Sequence, residues 1–105
     1  MNFIREKGRP LSEINPGSDE LALKIDDALE AIESLQNTQS AILGGDILLD
    51  DLGKLTYTYE NWYSEKIPNE SHIDYCNRSY DIASNYLHAL LKRDGDNRYV
   101  VIVQE

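Results

Sequence analysis

The chain has 105 residues, and its 19 Asp and Glu outweigh 10 Lys and Arg to give a net charge of −9. That length supports one modest core, read as a single domain over residues 1–105, and the excess of carboxylates repels phosphate backbones, which argues against nucleic acid as a direct partner. No stretch of about 18 apolar residues is present, so no membrane span is expected, and the start of the chain lacks the apolar segment of a secretory signal. A cytoplasmic protein is therefore expected. The single cysteine, Cys76, excludes an internal disulfide and a cysteine-based zinc cluster.

The charge is uneven along the chain: residues 1–10 sum to +2, 11–40 to −6, 41–70 to −4 and 71–105 to −1. Residues 1–17 form an irregular lead-in punctuated by Gly8, Pro10, Pro16 and Gly17, with Phe3, Ile4, Leu11 and Ile14 available to pack on the body that follows, residues 18–105. Ser18 is a good helix N-cap, and Asp19 and Glu20 suit the positive end of the helix dipole. Ala22, Ile25, Leu29, Ile32 and Leu35 then recur at steps of three and four, which predicts an amphipathic helix over about 19–37. Asp26, Asp27, Glu30 and Glu33 lie largely off its apolar face, as a solvated side would.

Residues 40–49 read as a strand, and 54–60, "KLTYTYE", as a second with alternating apolar and polar positions. "DDLG" supplies the turn of a hairpin. Residues 61–70 read as a loop. Ser71 and Asp74 resemble a capping box, and Ile73, Cys76, Tyr80, Ala83, Leu87, Leu90 and Leu91 carry a second helix over 72–92. "RYVVIVQ", 98–104, is apolar on both faces and suits an interior strand. The fold class is therefore α+β: a small sheet of about three strands, a hairpin plus a C-terminal strand, packed with two amphipathic helices. A crossover through the second helix predicts strand order 2-1-3, with the second and third strands parallel.

The stretch "SAILGGDILLDD", 40–51, poses the main chemical question. A phosphate loop would lead from glycines into a helix, usually with a Lys, whereas Ile47, Leu48 and Leu49 continue a strand. The three residues shared with the Gly-Gly-Asp-Glu-Phe signature of diguanylate cyclases belong to domains considerably longer than this chain. Asp46, Asp50 and Asp51 are oxygen donors, but their spacing matches no EF-hand loop. Glycines within a strand mark a bulge or a close approach, and Trp62 is the ring expected to pack on Gly44 and Gly45. His72 and His88, sixteen residues apart, do not share a site; a Cys76–His72 pair competes with a plain buried thiol. Tyr57, Tyr59, Trp62 and Tyr63 fit either the core of a small domain or an interface, with Tyr63 and the acids on the exposed side.

In order, "AILGGD" (41–46), "TYENWY" (58–63), "RSYDIASNYL" (78–87) and "YVVIV" (99–103) resemble the pattern of the bacterial immunity-protein family Imm40 across about residues 17–104. Gly44, Gly45, Asp46, Asn61, Trp62 and Ser79 match that pattern. The resemblance implies a non-enzymatic protein, without cofactor or catalytic residues, that binds and blocks the toxin domain of its own polymorphic or contact-dependent system. An acidic chain suits a basic toxin such as a nuclease, with carboxylates steering the encounter and aromatics prolonging the complex. The toxin-binding residues expected are Asp46, Asp50, Asp51, Glu60, Trp62, Tyr63 and Glu65, and the acidic face of the first helix is the competing surface. An acidic interaction module with no toxin partner is the alternative, and self-association into a homodimer is left open.

Overall fold

The structure, a computed structural model, describes residues 7–105. In chain order come β1 (Arg9–Pro10), a single 3-10 turn (Leu11–Glu13), β2 (Leu21–Lys24), helix α1 (Ile25–Leu35), β3 (Ile42–Asp51), β4 (Lys54–Tyr63), helix α2 (His72–Asp94) and β5 (Arg98–Gln104). The strands form one sheet in the order β1-β2-β5-β3-β4, and every neighbouring pair is antiparallel.

The three expected strands are β3, β4 and β5, and they take the expected order β4-β3-β5, which leaves β4 and β5 parallel on either side of β3. The sheet is larger than expected, with five strands rather than about three. The two additional strands come from residues read as lead-in and as helix. Leu21–Lys24 satisfies a helical period, but the far edge of β5 needs a partner, and Leu23 pairs with Val100 there. Tertiary pairing overrides local propensity over these four residues, so the helix starts at Ile25 and ends at Leu35. Ser18 still accepts a backbone hydrogen bond, from Glu20 N–H at 3.1 Å, but it precedes a strand. Of the lead-in, Phe3 and Ile4 lie outside the described residues, Leu11 is buried and Ile14 half-buried against the sheet.

The second helix meets its expectation at the start, where the Ser71 hydroxyl accepts from Asp74 N–H at 3.1 Å. It ends at Gly95, whose φ of +79° suits a residue without Cβ. Residues 61–63, read as loop, extend β4.

The sheet has a core on each face. On one side α1 and α2 cover Leu23, Ile42, Ile47, Trp62 and Val100. On the other, the segment with Leu11 and Ile14 covers Ala22, Leu48, Leu55 and Val101. That segment leaves Leu43 and Val103, towards one end of β3 and β5, more than a third exposed.

Gly45 explains how α2 reaches the sheet. Trp62, opposite it on β4, lays its ring over the glycine, and a Cβ on Gly45 would fall on the Cη2 and Cζ3 atoms of that ring. The ring continues onto Tyr86 of α2, with centroids 4.9 Å apart. A Cβ on Gly44 would fall on the Trp62 carbonyl oxygen, which cannot yield. Overpacking of this kind costs about 1–3 kcal/mol, and removing a buried aromatic about 3–5 kcal/mol. Gly45→Ala should therefore lower stability by about 2–3 kcal/mol and Trp62→Ala by more, as read by urea denaturation followed by circular dichroism; a Gly45→Ala protein as stable as the parent would refute the close approach.

Candidate functional site

Burying Trp62 towards the helices turns its neighbours Asn61 and Tyr63 to the opposite face, because successive strand residues alternate. There Asn61 stands opposite Asp46, and Tyr63 opposite Gly44. Tyr63 is 76% exposed. On the other side of β3, the pairing with β5 steps from Ile42↔Gln104 to Gly44↔Val103, so Leu43 is a bulged extra residue. Leu43, Tyr63, Val103 and Asp46 line one shallow recess of about 240 Å³ on the helix-free face.

A second irregularity lies between Asp46 and Leu48, where Ile47 alone faces Thr58, Tyr59 and Glu60 of β4. The Thr58 hydroxyl donates to the Ile47 carbonyl at 2.8 Å and accepts from Glu60 N–H at 3.1 Å, closing the bulge. Tyr59 at its crest has φ +67°, a left-handed conformation that costs an L residue roughly 1–2 kcal/mol. The bulge leaves Tyr59 88% exposed, 6.3 Å from the ring of Tyr57. These two tyrosines, with Ile14, Pro16 and Asp51, border a groove of about 640 Å³.

The seven residues expected from sequence are thus distributed unevenly. Asp46 and Tyr63 line the recess on the helix-free face, Asp51 borders the separate groove at Tyr57 and Tyr59, and all three are exposed. Asp50 is half-buried at its rim, 3.4 Å from Arg9, and accepts the Gly53 N–H at 2.7 Å to close the hairpin turn. Glu60 turns to the helix side, where Arg93 of α2 holds it at 2.8 Å. Trp62 is 6% exposed, and its Nε1 has no hydrogen-bond partner among the described residues. Glu65 is exposed in the loop after β4. Leu43, Tyr57, Tyr59 and Val103 join this face although strand periodicity reads them as interior. The signal for Tyr59 is weak; only the bulge places it outside.

The helix acids divide from this surface. Asp26, Glu30 and Glu33 are exposed on α1, on the opposite side of the sheet, and no exposed aromatic accompanies them among the described residues.

The nucleophile candidate also takes a definite place. Cys76 Sγ lies 3.4 Å from His72 Nε2. Burial, and after it the charge of Glu105, push the thiol above its ordinary value, so it keeps its proton at neutral pH and is not an activated nucleophile. Asp46 and Asp50, four residues apart along one extended strand, are separated by roughly 13 Å and do not converge on a cation.

The loop 64–71 is clamped onto α2. The Arg78 guanidinium donates to both Glu70 oxygens, at 2.8 and 2.9 Å, and to the Glu65 carbonyl. The Tyr75 hydroxyl donates to the Ser64 carbonyl at 2.8 Å, and Ser64 N–H to the Leu43 carbonyl at 3.0 Å. Buried Ser79 accepts from Ile42 N–H at 3.0 Å, joining α2 to the start of β3. These bonds hold the end of β4, and with it Tyr63, against the bulge at Leu43.

Compared with known proteins, residues 10–104 match the family Immunity protein 40, and the chain belongs to that family. No curated protein and no solved structure matches it. The family implies immunity against a toxin. No helix among the described residues is long and apolar enough to cross a membrane.

The Arg78 hydrogen bonds, reinforced by Ile67 N–H, hold the Glu70 carboxyl down to about 2 from an ordinary value near 4.5. A carboxylate with a depressed folded pKa stabilises fully above its unfolded pKa and loses that contribution as pH falls through the folded one. Stability should therefore decline between about pH 4.5 and about 2. In Glu70→Gln the decline should be shallower; identical pH profiles of the thermal midpoint in variant and parent would reject the clamp.

Proposed function

We propose that this chain neutralises its cognate toxin domain by direct binding through the helix-free face of the β3–β4 hairpin. The observation that carries the proposal is the display of exposed Tyr63, Leu43, Val103 and Asp46 around one recess, and of exposed Tyr59 and Asp51 around a second groove along the same hairpin. Nothing in the fold requires large apolar side chains there, since both cores close without them. Tyrosines bordered by carboxylates match the anatomy of a tight interface, in which anchored rings set the lifetime and rim charges set the encounter rate. The net charge of −9 favours a basic partner, and a nuclease domain, whose substrate is a polyanion, has that character. In this reading the protein has no catalytic role and acts in the cytoplasm as a single-domain inhibitor.

The choice of carboxylates follows from their pairing. Asp50 and Glu60 are neutralised locally by Arg9 and Arg93. Asp46, Asp51 and Glu65 are exposed and carry the steering field. Trp62 contributes by setting the orientation of Asn61 and Tyr63, and the bulged Tyr59 limits pairing of a further strand on the outer edge of β4.

The test is co-expression of this chain with the toxin domain encoded beside it, scored by growth, and the kinetics of the purified pair. Rescue by the parent chain is expected, and Tyr59→Ala combined with Tyr63→Ala should raise the dissociation rate at least about tenfold, the loss of one strong anchor. Joint reversal of Asp46, Asp51 and Glu65 to Lys should slow association about tenfold at low salt, with little change in dissociation. Reversal of Asp26, Glu30 and Glu33 should leave both rates close to those of the parent. If only the α1 reversal impaired binding, the toxin would sit on the helices and the proposed face would be wrong.

A further inference from the structure

Away from the tyrosine face, three side chains with metal-binding chemistry meet at one point. His72 and Cys76 are four residues apart on α2, a spacing that places them on one side of the helix. Glu105, which follows β5, brings its carboxylate alongside, and the donor atoms of all three lie within 4.8 Å of one another. No other set of three His, Cys, Asp or Glu side chains converges in this way among the described residues.

The hydrogen bonding around His72 is what makes the cluster unusual. Its Nε2 is 2.8 Å from the Gln39 carbonyl oxygen, 3.1 Å from Glu105 Oε1 and 3.4 Å from Cys76 Sγ. A ring nitrogen carries at most one proton, so it cannot satisfy a carbonyl, a carboxylate and a sulfur together. A divalent cation can, by accepting electron pairs from all four atoms and displacing the thiol proton of Cys76 to solvent as it binds. Bonds of about 2.0–2.3 Å in a tetrahedron put ligand atoms roughly 3.3–3.8 Å apart; the Nε2–Sγ separation already fits, and the Glu105 and Gln39 oxygens would each move outward by a few tenths of an ångström to admit the ion. The Sγ-to-carboxylate gap closes by a torsion of the exposed Glu105 side chain.

Two features hold the donors in place. Gln39 takes φ +57°, a left-handed conformation rare outside glycine and asparagine, in the turn that aims its carbonyl at His72. Ala41 N–H donates to Glu105 Oε1 at 2.9 Å while Glu105 N–H donates to the Ala41 carbonyl at 3.0 Å, which keeps the carboxylate within reach of His72. We infer that His72, Cys76 and Glu105, with the Gln39 carbonyl, form a binding site for a zinc-class divalent cation. The nitrogen and sulfur donors select against Ca²⁺ and Mg²⁺, which prefer oxygen alone. The ion would staple the first turn of α2 to the α1–β3 turn and to the end of β5.

The site is tested with Co²⁺ as a spectroscopic probe on the purified full chain, with circular dichroism verifying the fold of each variant. One equivalent of Co²⁺ should produce a thiolate-to-metal charge-transfer band and intense visible d–d absorption of a four-coordinate ion, and Zn²⁺ should bleach both. Cys76→Ser should abolish the charge-transfer band, and His72→Gln, at an exposed position, should weaken Co²⁺ binding at least about tenfold. Zn²⁺ should raise the thermal midpoint of the parent chain but not of His72→Gln, while Ca²⁺ and Mg²⁺ should do nothing. Absence of the charge-transfer band in the folded parent, or a band of equal affinity in His72→Gln, would overturn the assignment.

Discussion

The contact between the Trp62 ring and the bare backbone of Gly45 organises much of what surrounds it. The ring occupies the volume a Cβ would need, and it reaches on to Tyr86, so the spacing between sheet and α2 at this end is set by an indole. Strand alternation then fixes the outward direction of Asn61 and Tyr63. A core residue thereby decides what the opposite surface displays, without touching it.

The second constraint is the pair of irregularities on either side of β3. Facing β5, one extra residue at Leu43 changes which residues point inward, so that Ile42 and Gly45 both face the helices although they are an odd three positions apart. Facing β4, three residues oppose one, and the two extra residues preserve the alternation, which is why Tyr57 and Tyr63 still share a face. Both irregularities push side chains towards the helix-free side. The result is an apolar surface beside the segment 11–17, which covers the rest of that face.

Electrostatics separates carboxylates by task. Glu70 on Arg78, Asp50 on Arg9 and Glu60 on Arg93 tie loops and turns to the body of the fold. Their charges are spent locally. The acids that stay exposed, on the tyrosine face and along α1, carry the long-range field that a basic partner would feel, and a Debye length of about 8 Å at physiological salt makes only those near the contact effective.

Much of the architecture was legible in the residue pattern: the hairpin, the Ser71-capped helix, the interior character of 98–104, and the approach of Trp62 to a glycine all follow from periodicity and side-chain size. The order of the three main strands followed from connection rules. The family, too, was readable from the ordered motifs around Gly44, Trp62, Ser79 and Val100. What the pattern could not decide were choices between local preferences of similar strength. Leu21–Lys24 satisfies both a helix and a strand, and the unpaired edge of β5 settles it. Leu43, Tyr59 and Val103 read as interior residues, and only bulges and the limited reach of the 11–17 segment turn them out. Likewise His72 and Cys76 announce a shared helix side, but Glu105 and the Gln39 carbonyl arrive there through β-pairing and a left-handed turn, distant in sequence. Local periodicity reports what one segment can bury against an unspecified neighbour; which neighbour arrives, and at what register, is a property of the assembled sheet.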